Sequence, residues 1–279
     1  MPSQTSAPSP RFTAVVLAAD RGPGDPVSRA AGVSCKVLAP VGGRPMLERV
    51  LDALGASAWV AGGLVCGPAA PLVHQEPRLR SLLDRPGLSW VAPEGSPCRS
   101  VLSALDRLEG AFPVLVTTGD HALLTREMVD RFCAASAASG GDLTAGLALW
   151  RSVMEAYPGT RRTRTRFRDG PFCGCNLFAF LTPASRQAAV LWREVETERK
   201  KPLRIIRRLG WGTLLRYAAG RLTLEEGLRR ISRRMGLRVN AVILPQPEAA
   251  IDVDSEADWR FADAIAAGRI RPRGGGCGR

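Results

Sequence analysis

Short apolar runs alternate with amphipathic segments along most of this 279-residue chain. Apolar β-branched runs predict strands, and apolar residues at i, i+3, i+4 and i+7 predict helices that pack one face on a sheet. This alternation favours an α/β fold with a largely parallel central sheet and helices on both faces. We predict strands at 12–18, 60–66, 88–91, 113–118, 143–149, 176–181 and 238–244. We predict helices at 45–54, 97–109, 125–138, 183–199 and 255–266.

The first strand leads into a segment suited to binding phosphate. A loop rich in Gly, Pro and Arg follows Leu17, and Lys36 comes just before a second apolar run. Pro45 suits the first turn of a helix, and Gly55 suits its end. Strand, loop and cation together predict a phosphate cradle beside the first helix.

The positive charge of the chain is concentrated in one region. The net charge is +13, and residues 151–240 hold 21 Lys and Arg against 7 Asp and Glu. This excess predicts an anionic partner. Inside it, residues 200–236 break the alternation, and Thr223 with Glu226 forms a capping-box pattern before a helix that Gly236 ends. We predict a basic helical insertion packed on the sheet.

Composition also limits the domain organisation and the kind of site. The chain has seven Cys, an odd number without metal-type spacing, and its only His residues are His74 and His121, so a zinc site is disfavoured. The Ser/Pro-rich residues 1–10 and the Gly/Arg-rich residues 269–279 are predicted to be disordered tails of one domain at 11–268. The same cysteine usage predicts a reduced, cytoplasmic setting, and the N-terminus lacks the features of a secretory signal.

The segment around Lys36 carries a resemblance to a known family. A strand ending in LAA, then Arg29, then Lys36 followed by LAPVGGRPML, is similar to the N-terminal signature of the MobA-like nucleotidyltransferases. The resemblance extends over 12–55, 94–124 and 172–267. It implies the nucleotide-diphospho-sugar transferase fold, which is Rossmann-like, and an enzyme that joins a nucleoside monophosphate to a phosphorylated acceptor.

The loop after the first strand departs from the family pattern. Asp20 and Arg21 stand where the family usually has glycines, and Gly22 and Gly24 are displaced along the chain. The resemblance implies that Lys36 and Arg29 contact the triphosphate as catalytic groups. It also implies a nucleotide-binding loop and a base-reading turn, formed by Leu17, Ala18, Ala19, Gly22, Gly24, Gly95 and Ser96.

Acidic residues follow two of the predicted strands. Asp120 ends a buried run, and the carboxyl end of a central strand is where open α/β sheets bind ligands. Mg²⁺ favours such hard oxygen ligands. Asp252 and Asp254 are two positions apart, so both side chains point to one side of an extended segment. The resemblance places a second metal-binding group here, with Asp254 the closer match and Asp252 the rival, while N-capping of the next helix is the alternative for either.

The acceptor is expected to bind near FCGCNLFAF and the arginine-rich segment before it. The resemblance places Asn176 against the acceptor. If residues 164–168 are extended, Arg164, Arg166 and Arg168 share a face and could clamp a phosphate. A solvated edge strand protected by charge is the alternative.

Basic residues alternate with Trp, Tyr and aliphatic residues over 198–221. This pattern is typical of a segment that rests on an anionic bilayer, which predicts peripheral contact with the inner face of the membrane. A basic-faced helix that covers the fold is the alternative. No nucleic-acid-binding motif is present, so nucleic acid is not an expected partner.

These observations predict a Mg²⁺-dependent nucleotidyltransferase. It would transfer a nucleoside monophosphate from CTP or GTP to a sugar, polyol, alcohol or cofactor-precursor phosphate, with release of pyrophosphate. No residue separates CTP from GTP. The alternative is a non-catalytic descendant that keeps the fold and binds a membrane or partner through its basic region. A Rossmann dehydrogenase is disfavoured because no GxGxxG follows the first strand.

Overall fold

The computed structural model describes residues 11–19, 24–197 and 211–273. Its main sheet has eight strands and is mostly parallel, and a two-stranded hairpin lies apart from it. The strands are β1 Phe12–Leu17, β2 Pro40–Val41, β3 Arg44–Pro45, β4 Val60–Cys66, β5 Leu88–Val91, β6 Val114–Thr118, β7 Leu143–Leu149, β8 Thr165–Phe167, β9 Gly170–Phe180 and β10 Val239–Leu244. The helices are α1 Pro26–Ala31, α2 Met46–Gly55, α3 Ala70–Gln75, α4 Pro77–Leu83, α5 Pro97–Arg107, α6 Arg126–Ala138, α7 Trp150–Ala156, α8 Arg186–Thr197, α9 Trp211–Ala218, α10 Leu224–Met235 and α11 Glu256–Ala266.

The order of the strands puts six carboxyl ends of the main path at one edge of the sheet. The order is β10-β7-β9-β6-β1-β4-β5, with β8 paired to β9. β1 is parallel to β4 and β6, and β4 is parallel to β5. β9 alone runs antiparallel to its neighbours β6, β7 and β8 in the described sheet. β10 is parallel to β7, so the loops that follow six strands open at the same edge: β1, β4, β5, β6, β7 and β10.

Alternating residues of β1 face two separate cores. Ala14 and Val16 belong to a cluster that contains apolar residues of α2, α4 and α6, whereas Val15 belongs to a cluster with residues of α5 and α8. A strand exposes successive side chains to opposite faces, so a continuous apolar run fits a strand covered on both sides. The predicted α/β fold with helices on both faces is confirmed. A third cluster around Tyr157 and Ile251 lies beside α11.

The predicted element positions differ from the structure mainly at short or irregular segments. The helices α1, α3, α4 and α7 were not predicted, because six or seven residues carry too little periodicity. Strand β9 begins at Gly170, six residues before the predicted start. Helix α2 has Pro45 as its N-cap and includes Gly55, with Ala56 as the C-cap, so Gly55 is not the stop that we predicted.

Helices α9 and α10 form the described part of the insertion predicted at 200–236. Residues 200–210 of that insertion lie outside the described residues. The capping box of Thr223 and Glu226 and the left-handed C-cap at Gly236 are confirmed. Leu228 and Ile231 of α10 pack on the core beside β10. Within the described ranges, no helix combines the length and apolar character needed to cross a bilayer.

Residues 269–273, predicted to belong to the C-terminal tail, pack on the fold instead. Ile270 contacts the third apolar cluster, and the Arg273 backbone N–H donates to the Ala156 carbonyl at 3.0 Å. The sequence signal was misleading because the Gly/Arg-rich composition begins inside this short ordered stretch. Residues 1–10 and 274–279, the remainder of the predicted tails, are outside the described residues.

The close approach of β1 and β4 yields a stability prediction. A Cβ added at Gly63 would lie 2.3 Å from the Ala14 carbonyl oxygen, so Gly63→Ala must displace backbone. We expect the free energy of unfolding to fall by about 1–3 kcal/mol, as for overpacked cores. Gly174→Ala in β9 is the matched control, because a Cβ there meets no described atom within 4 Å. Equal urea-denaturation midpoints for the two variants would contradict this account of β1–β4 packing.

Candidate active site

Three charged side chains from distant parts of the sequence meet at the sheet edge. Lys36 lies in a 3-10 turn, Lys36–Leu38, and its side chain is only 9% exposed. Its Nζ donates a hydrogen bond to Asp120 Oδ2 at 2.5 Å and lies 3.6 Å from Asp254 Oδ1. The structure thus brings together three of the residues that the sequence singled out.

Backbone hydrogen bonds hold the two acidic segments against β1 and β6. The Gly119 N–H donates to the Leu17 carbonyl at 2.8 Å, so the end of β6 stays level with the end of β1. The Val253 N–H donates to the Asp120 carbonyl at 3.2 Å. This bond joins the Asp252–Asp254 segment to the end of β6, which explains why carboxylates 134 positions apart reach one lysine.

The charge on Lys36 is stabilised by its neighbours despite burial. Burial alone would lower the pKa of Lys36, but the carboxylates of Asp120, Asp254 and Asp25 hold that pKa above its ordinary value of 10.5. Asp25 is itself buried, and it accepts hydrogen bonds from Val27 N and Ser28 N as the N-cap of α1. Lys36 is therefore an ammonium ion at neutral pH.

Asp252 occupies a different position from Asp254. Its Oδ2 accepts a hydrogen bond from Asn176 Nδ2 at 2.8 Å, and its Oδ1 accepts one from Arg162 at 2.7 Å. Burial raises the pKa of Asp252, and the nearby carboxylates of Asp120 and Asp254 add to the rise. Both of its oxygens are thus engaged by protein groups, whereas the Asp254 side chain is 58% exposed at the edge.

The Asn176 side chain reaches Asp252 because β9 is irregular at this point. Ala145 pairs with Phe178 and Leu147 with Gly174, so β9 has two more residues than β7 over the same interval. Asn176 adopts a positive φ of 49° within this bulge. A bulge of this kind redirects a side chain. The structure therefore places Asn176, predicted at the acceptor, in contact with the acidic segment.

The loop after β1 lies against the end of β4. The Ala18 N–H donates to the Cys66 carbonyl at 2.9 Å. Gly67 follows β4 with a φ of 97°, and a Cβ there would come within 2.8 Å of the Ala19 nitrogen. Leu17, Ala18 and Ala19 thus lie at the predicted edge, Gly24 is exposed just before α1, and Gly22 lies outside the described residues.

Arg29 does not share the carboxylate partners of the Lys36 cluster, which consists of Lys36, Asp120 and Asp254. It lies in the last turn of α1, exposed, and forms no ion pair with any residue described in the structure. Gly95 and Ser96 follow β5 at the same sheet edge. Ser96 caps α5 by accepting from Arg99 N at 3.4 Å, so the helix-start interpretation of this turn applies whether or not it also reads a base.

The predicted arginine clamp is divided between two surroundings. Arg164 precedes β8, and its guanidinium stacks over the Trp150 ring with 4.8 Å to the centroid. Arg166 lies within the three-residue β8, where its backbone N–H donates to the Tyr217 hydroxyl at 3.2 Å. Arg166 therefore fits the alternative of a solvated edge strand, whereas Arg164 contacts the first residue of α7.

The carboxylates suit a Mg²⁺ ion that is shared with a substrate. The Asp120 Oδ1 atom is buried without a hydrogen-bond partner among the described residues, and the half-exposed Asp254 carboxylate lies across the same lysine. No group of three His, Cys, Asp or Glu side chains in the described ranges forms a ready-made metal site. Mg²⁺ usually takes one or two carboxylates and completes its shell with substrate phosphates and water, so this donor set fits.

Sequence reasoning missed Arg162 as a structural centre of the site. Its side chain is 7% exposed and donates to the Asp252 carbonyl at 3.0 Å, to the Asp252 carboxylate and to Asp258. The same reasoning missed Gly67 and the contribution of Asp25 to the charge around Lys36. For Arg162 the sequence offered only a weak signal, its place among five arginines within eight residues. The sequence does not show which of the five is buried.

Comparisons with known proteins agree with this geometry. The sequence profile described as MobA-like NTP transferase domain matches residues 14–239. The chain belongs to this family. It is a family of nucleotidyltransferases, so the family expected from the Lys36 segment is confirmed.

Solved structures show how much of the fold is shared. A hypothetical transferase from Thermus thermophilus is 34% identical, with a TM-score of 0.71 over 89% of this chain and 99% of that one. A CMP:2-keto-3-deoxy-manno-octonic acid synthetase in complex with CTP is 13% identical, with a TM-score of 0.55 over 93% of this chain and 100% of that one. A 4-diphosphocytidyl-2C-methyl-D-erythritol synthase from Anaerococcus prevotii is also 13% identical, with a TM-score of 0.54 over 92% and 97%. The last two show the fold alone.

One curated relative matches over part of its length. The bifunctional protein GlmU of Gloeobacter violaceus is 37% identical over 121 residues, which are 42% of this chain and 24% of that protein. The chain thus spans about a quarter of the curated relative that it matches.

The burial of Lys36 predicts a loss of stability when its charge is removed. Lys36→Met leaves the Asp120 carboxylate without its hydrogen-bond donor, which we expect to lower the free energy of unfolding by about 1.5–3 kcal/mol at pH 7. A lysine whose folded-state pKa is raised stabilises the fold below pH 10.5 and loses this effect as pH rises through the folded pKa. The difference from the unmodified chain in urea titrations should therefore shrink above that pH.

The control for this prediction is Arg126→Met, which breaks an exposed i,i+4 pair with Asp130. We expect it to change the free energy of unfolding by about 0.5 kcal/mol or less. A Lys36→Met variant as stable as the control at pH 7 would show that the buried ion pair contributes nothing to the fold.

Proposed function

We propose that this protein is a Mg²⁺-dependent nucleotidyltransferase. It transfers a nucleoside monophosphate from CTP or GTP to a phosphorylated small molecule, such as a sugar, polyol, alcohol or cofactor-precursor phosphate, and releases pyrophosphate. The proposal rests on one observation above all, the convergence of Lys36, Asp120 and Asp254 at the carboxyl edge of the sheet. Membership of the MobA-like family supports the reaction class.

Lys36 is suited to neutralising a triphosphate. It is held on the sheet edge by a rigid 3-10 turn beside the described part of the loop after β1. At an effective dielectric of about 20, a cation about 4 Å from a phosphate oxygen contributes up to ~4 kcal/mol. A contribution of about a third of that is already tenfold in rate. Positioning and charge are therefore enough to make this lysine the main protein cation of the reaction.

The carboxylates supply the complementary part of the site. Asp120 and Asp254 would hold Mg²⁺, and the ion would supply charge neutralisation for the triphosphate. Arg162 and Asn176 orient Asp252, and through it the segment that carries Asp254. Arg29 would approach the triphosphate from α1 once the nucleotide is bound.

No general base is needed in this reaction. The attacking phosphate is already ionised at neutral pH, so catalysis consists of alignment and electrostatic stabilisation. The imidazole next to Asp120 agrees with this, because burial lowers the pKa of His121 to about 4. His121 is neutral at pH 7 and fully buried, and we assign it a structural role.

Pyrophosphate release provides the test of the proposed reaction. The purified chain is incubated with Mg²⁺, each of the four nucleoside triphosphates in turn, and a panel of phosphorylated acceptors. We expect release with CTP or GTP and one acceptor class, and none when Mg²⁺ is replaced by EDTA. Release that persists in EDTA would contradict the assigned role of the carboxylates.

The role of Lys36 predicts the effect of its removal on catalysis. We expect Lys36→Ala to lower kcat/KM by more than about tenfold, because the lost cation stabilises charge on the triphosphate. Arg126→Ala on the exposed face of α6 is the control for loss of one surface cation and should retain the kcat/KM of the unmodified chain. An unchanged kcat/KM in Lys36→Ala would remove this lysine from the mechanism.

Nucleotide binding separates the enzyme from a non-catalytic descendant. A ligand at about a hundred times its Kd adds about 2.7 kcal/mol of stability. We therefore expect one triphosphate with Mg²⁺ to raise the Tm, and the effect to be lost in Asp120→Asn. A chain stabilised by none of the four triphosphates would favour the alternative in which the fold serves only to bind a partner.

A further inference from the structure

A cavity beside the Asp252–Asp254 segment is lined by three arginines, and two of them, Arg161 and Arg164, have no role in the reaction described above. It has a volume of about 500 Å³ and lies between the start of α7 and the segment before β8. Its wall contains Trp150, Met154, Arg161, Arg162 and Arg164, together with two threonines, and no acidic residue. Arg162 is paired with Asp252 and Asp258, so the guanidinium groups of Arg161 and Arg164 are the ones that favour an anionic occupant.

Two arginines of this cavity lack the carboxylate partner that several other surface arginines have. Arg44, Arg126 and Arg186 are exposed and each pairs with a nearby carboxylate. Arg161 and Arg164 are also exposed, yet neither forms an ion pair with a residue in the described ranges. Their charge is therefore available to a bound anion.

The Trp150 ring lies against one of the two guanidinium groups. Arg164 stacks over it at 4.8 Å, a distance typical of a cation–π contact. A guanidinium over an aromatic face keeps N–H donors that can bind phosphate oxygens in pairs. Less side-chain entropy is lost on binding, because the ring already restricts Arg164.

Arg162 connects the cavity to the acidic cluster. It lines the cavity, and its guanidinium donates to Asp252 at 2.7 Å and to Asp258. An anion in the cavity is therefore separated from the Asp252 carboxylate by one guanidinium group. The cavity lining does not include Lys36, Asp120 or Asp254, so we assign this anion a role separate from the attacking phosphate.

We propose that the Trp150–Arg164 cavity binds a second phosphate group of the acceptor, apart from the attacking phosphate. This inference rests on the proposed function, and it defines the acceptor class as a molecule with two anionic ends. Arg161 and Arg164 bind the distal phosphate, and Arg162 forms the boundary with the reaction centre. The distal phosphate is either part of a soluble metabolite or the headgroup of a lipid.

Chemical footprinting of arginine tests the cavity directly. The full chain is treated with phenylglyoxal at constant ionic strength, with inorganic phosphate replacing chloride, and each modified arginine is quantified by mass spectrometry. We expect phosphate to slow modification of Arg161 and Arg164. Arg151 is the internal control, because it is exposed on the same helix as Trp150 but does not line the cavity. Equal protection of Arg151, or none at Arg161 and Arg164, would overturn the proposal.

A conservative variant checks that the protection requires the stacked arginine. Arg164→Gln keeps an exposed polar side chain over Trp150, so the fold should be retained. In this variant we expect phosphate to lose its protection of Arg161, whereas Arg151→Gln should leave that protection intact. Full protection of Arg161 in Arg164→Gln would mean that the two arginines do not share one anion.

Two further probes distinguish the source of the phosphate. Glycerol 3-phosphate represents a soluble acceptor, and vesicles containing phosphatidic acid represent a lipid, with phosphatidylcholine vesicles as their control. Protection by either probe supports the cavity and identifies the source, and protection by neither overturns the proposal. Stabilisation of the unmodified chain by Mg²⁺ and a triphosphate is measured in parallel. Its absence would count against the proposed function, whereas stabilisation without a footprint would reject the cavity alone.

Discussion

The ion pair between Lys36 and Asp120 is the contact on which the site depends. A lysine that is 9% exposed would resist ionisation without a partner, and a carboxylate at the end of a central strand would repel the acids that follow β10. Each charge lowers the free-energy cost of burying the other. Since Asp254 lies within 3.6 Å of the same ammonium, one lysine gathers two carboxylates at the edge where the parallel strands end.

Two layers of support keep this group in position. Backbone bonds connect Leu17 with Gly119 and Asp120 with Val253, so the strands themselves set the spacing of the acids. Behind them, Arg162 and Asn176 occupy both oxygens of Asp252. Asp252 therefore orients the segment, and Asp254 faces the edge of the sheet. A site held in this way loses little entropy when a charged substrate arrives.

The sequence predicted the sheet well because its strands are continuous apolar runs covered on both faces. β4, β5 and β7 coincide with their predicted bounds, and the capping box at Thr223 and Glu226 marked the start of α10. The convergence of Lys36, Asp120 and Asp254 was expected from the family resemblance of the segments that carry them, and for Asp120 also from its place at the carboxyl end of β6.

Other contacts depend on tertiary geometry that no local pattern contains. Asn176 reaches Asp252 through a bulge with a positive φ, and nothing in FCGCNLFAF marks that bulge. Arg162 is buried while its neighbours Arg161 and Arg164 are exposed, a distinction that appears only when α11 and the acidic segment pack against it. The assignment of arginines to separate tasks therefore needed the folded chain.

The most direct test of the account is the position of a metal ion and a triphosphate in the folded protein. Crystals grown with Mn²⁺ and a non-hydrolysable nucleoside triphosphate allow the ion to be located by anomalous diffraction. We predict one peak between the carboxylates of Asp120 and Asp254, with the Lys36 amine in contact with a phosphate oxygen. A peak bound elsewhere, or a triphosphate on a surface that excludes Lys36, would contradict the account.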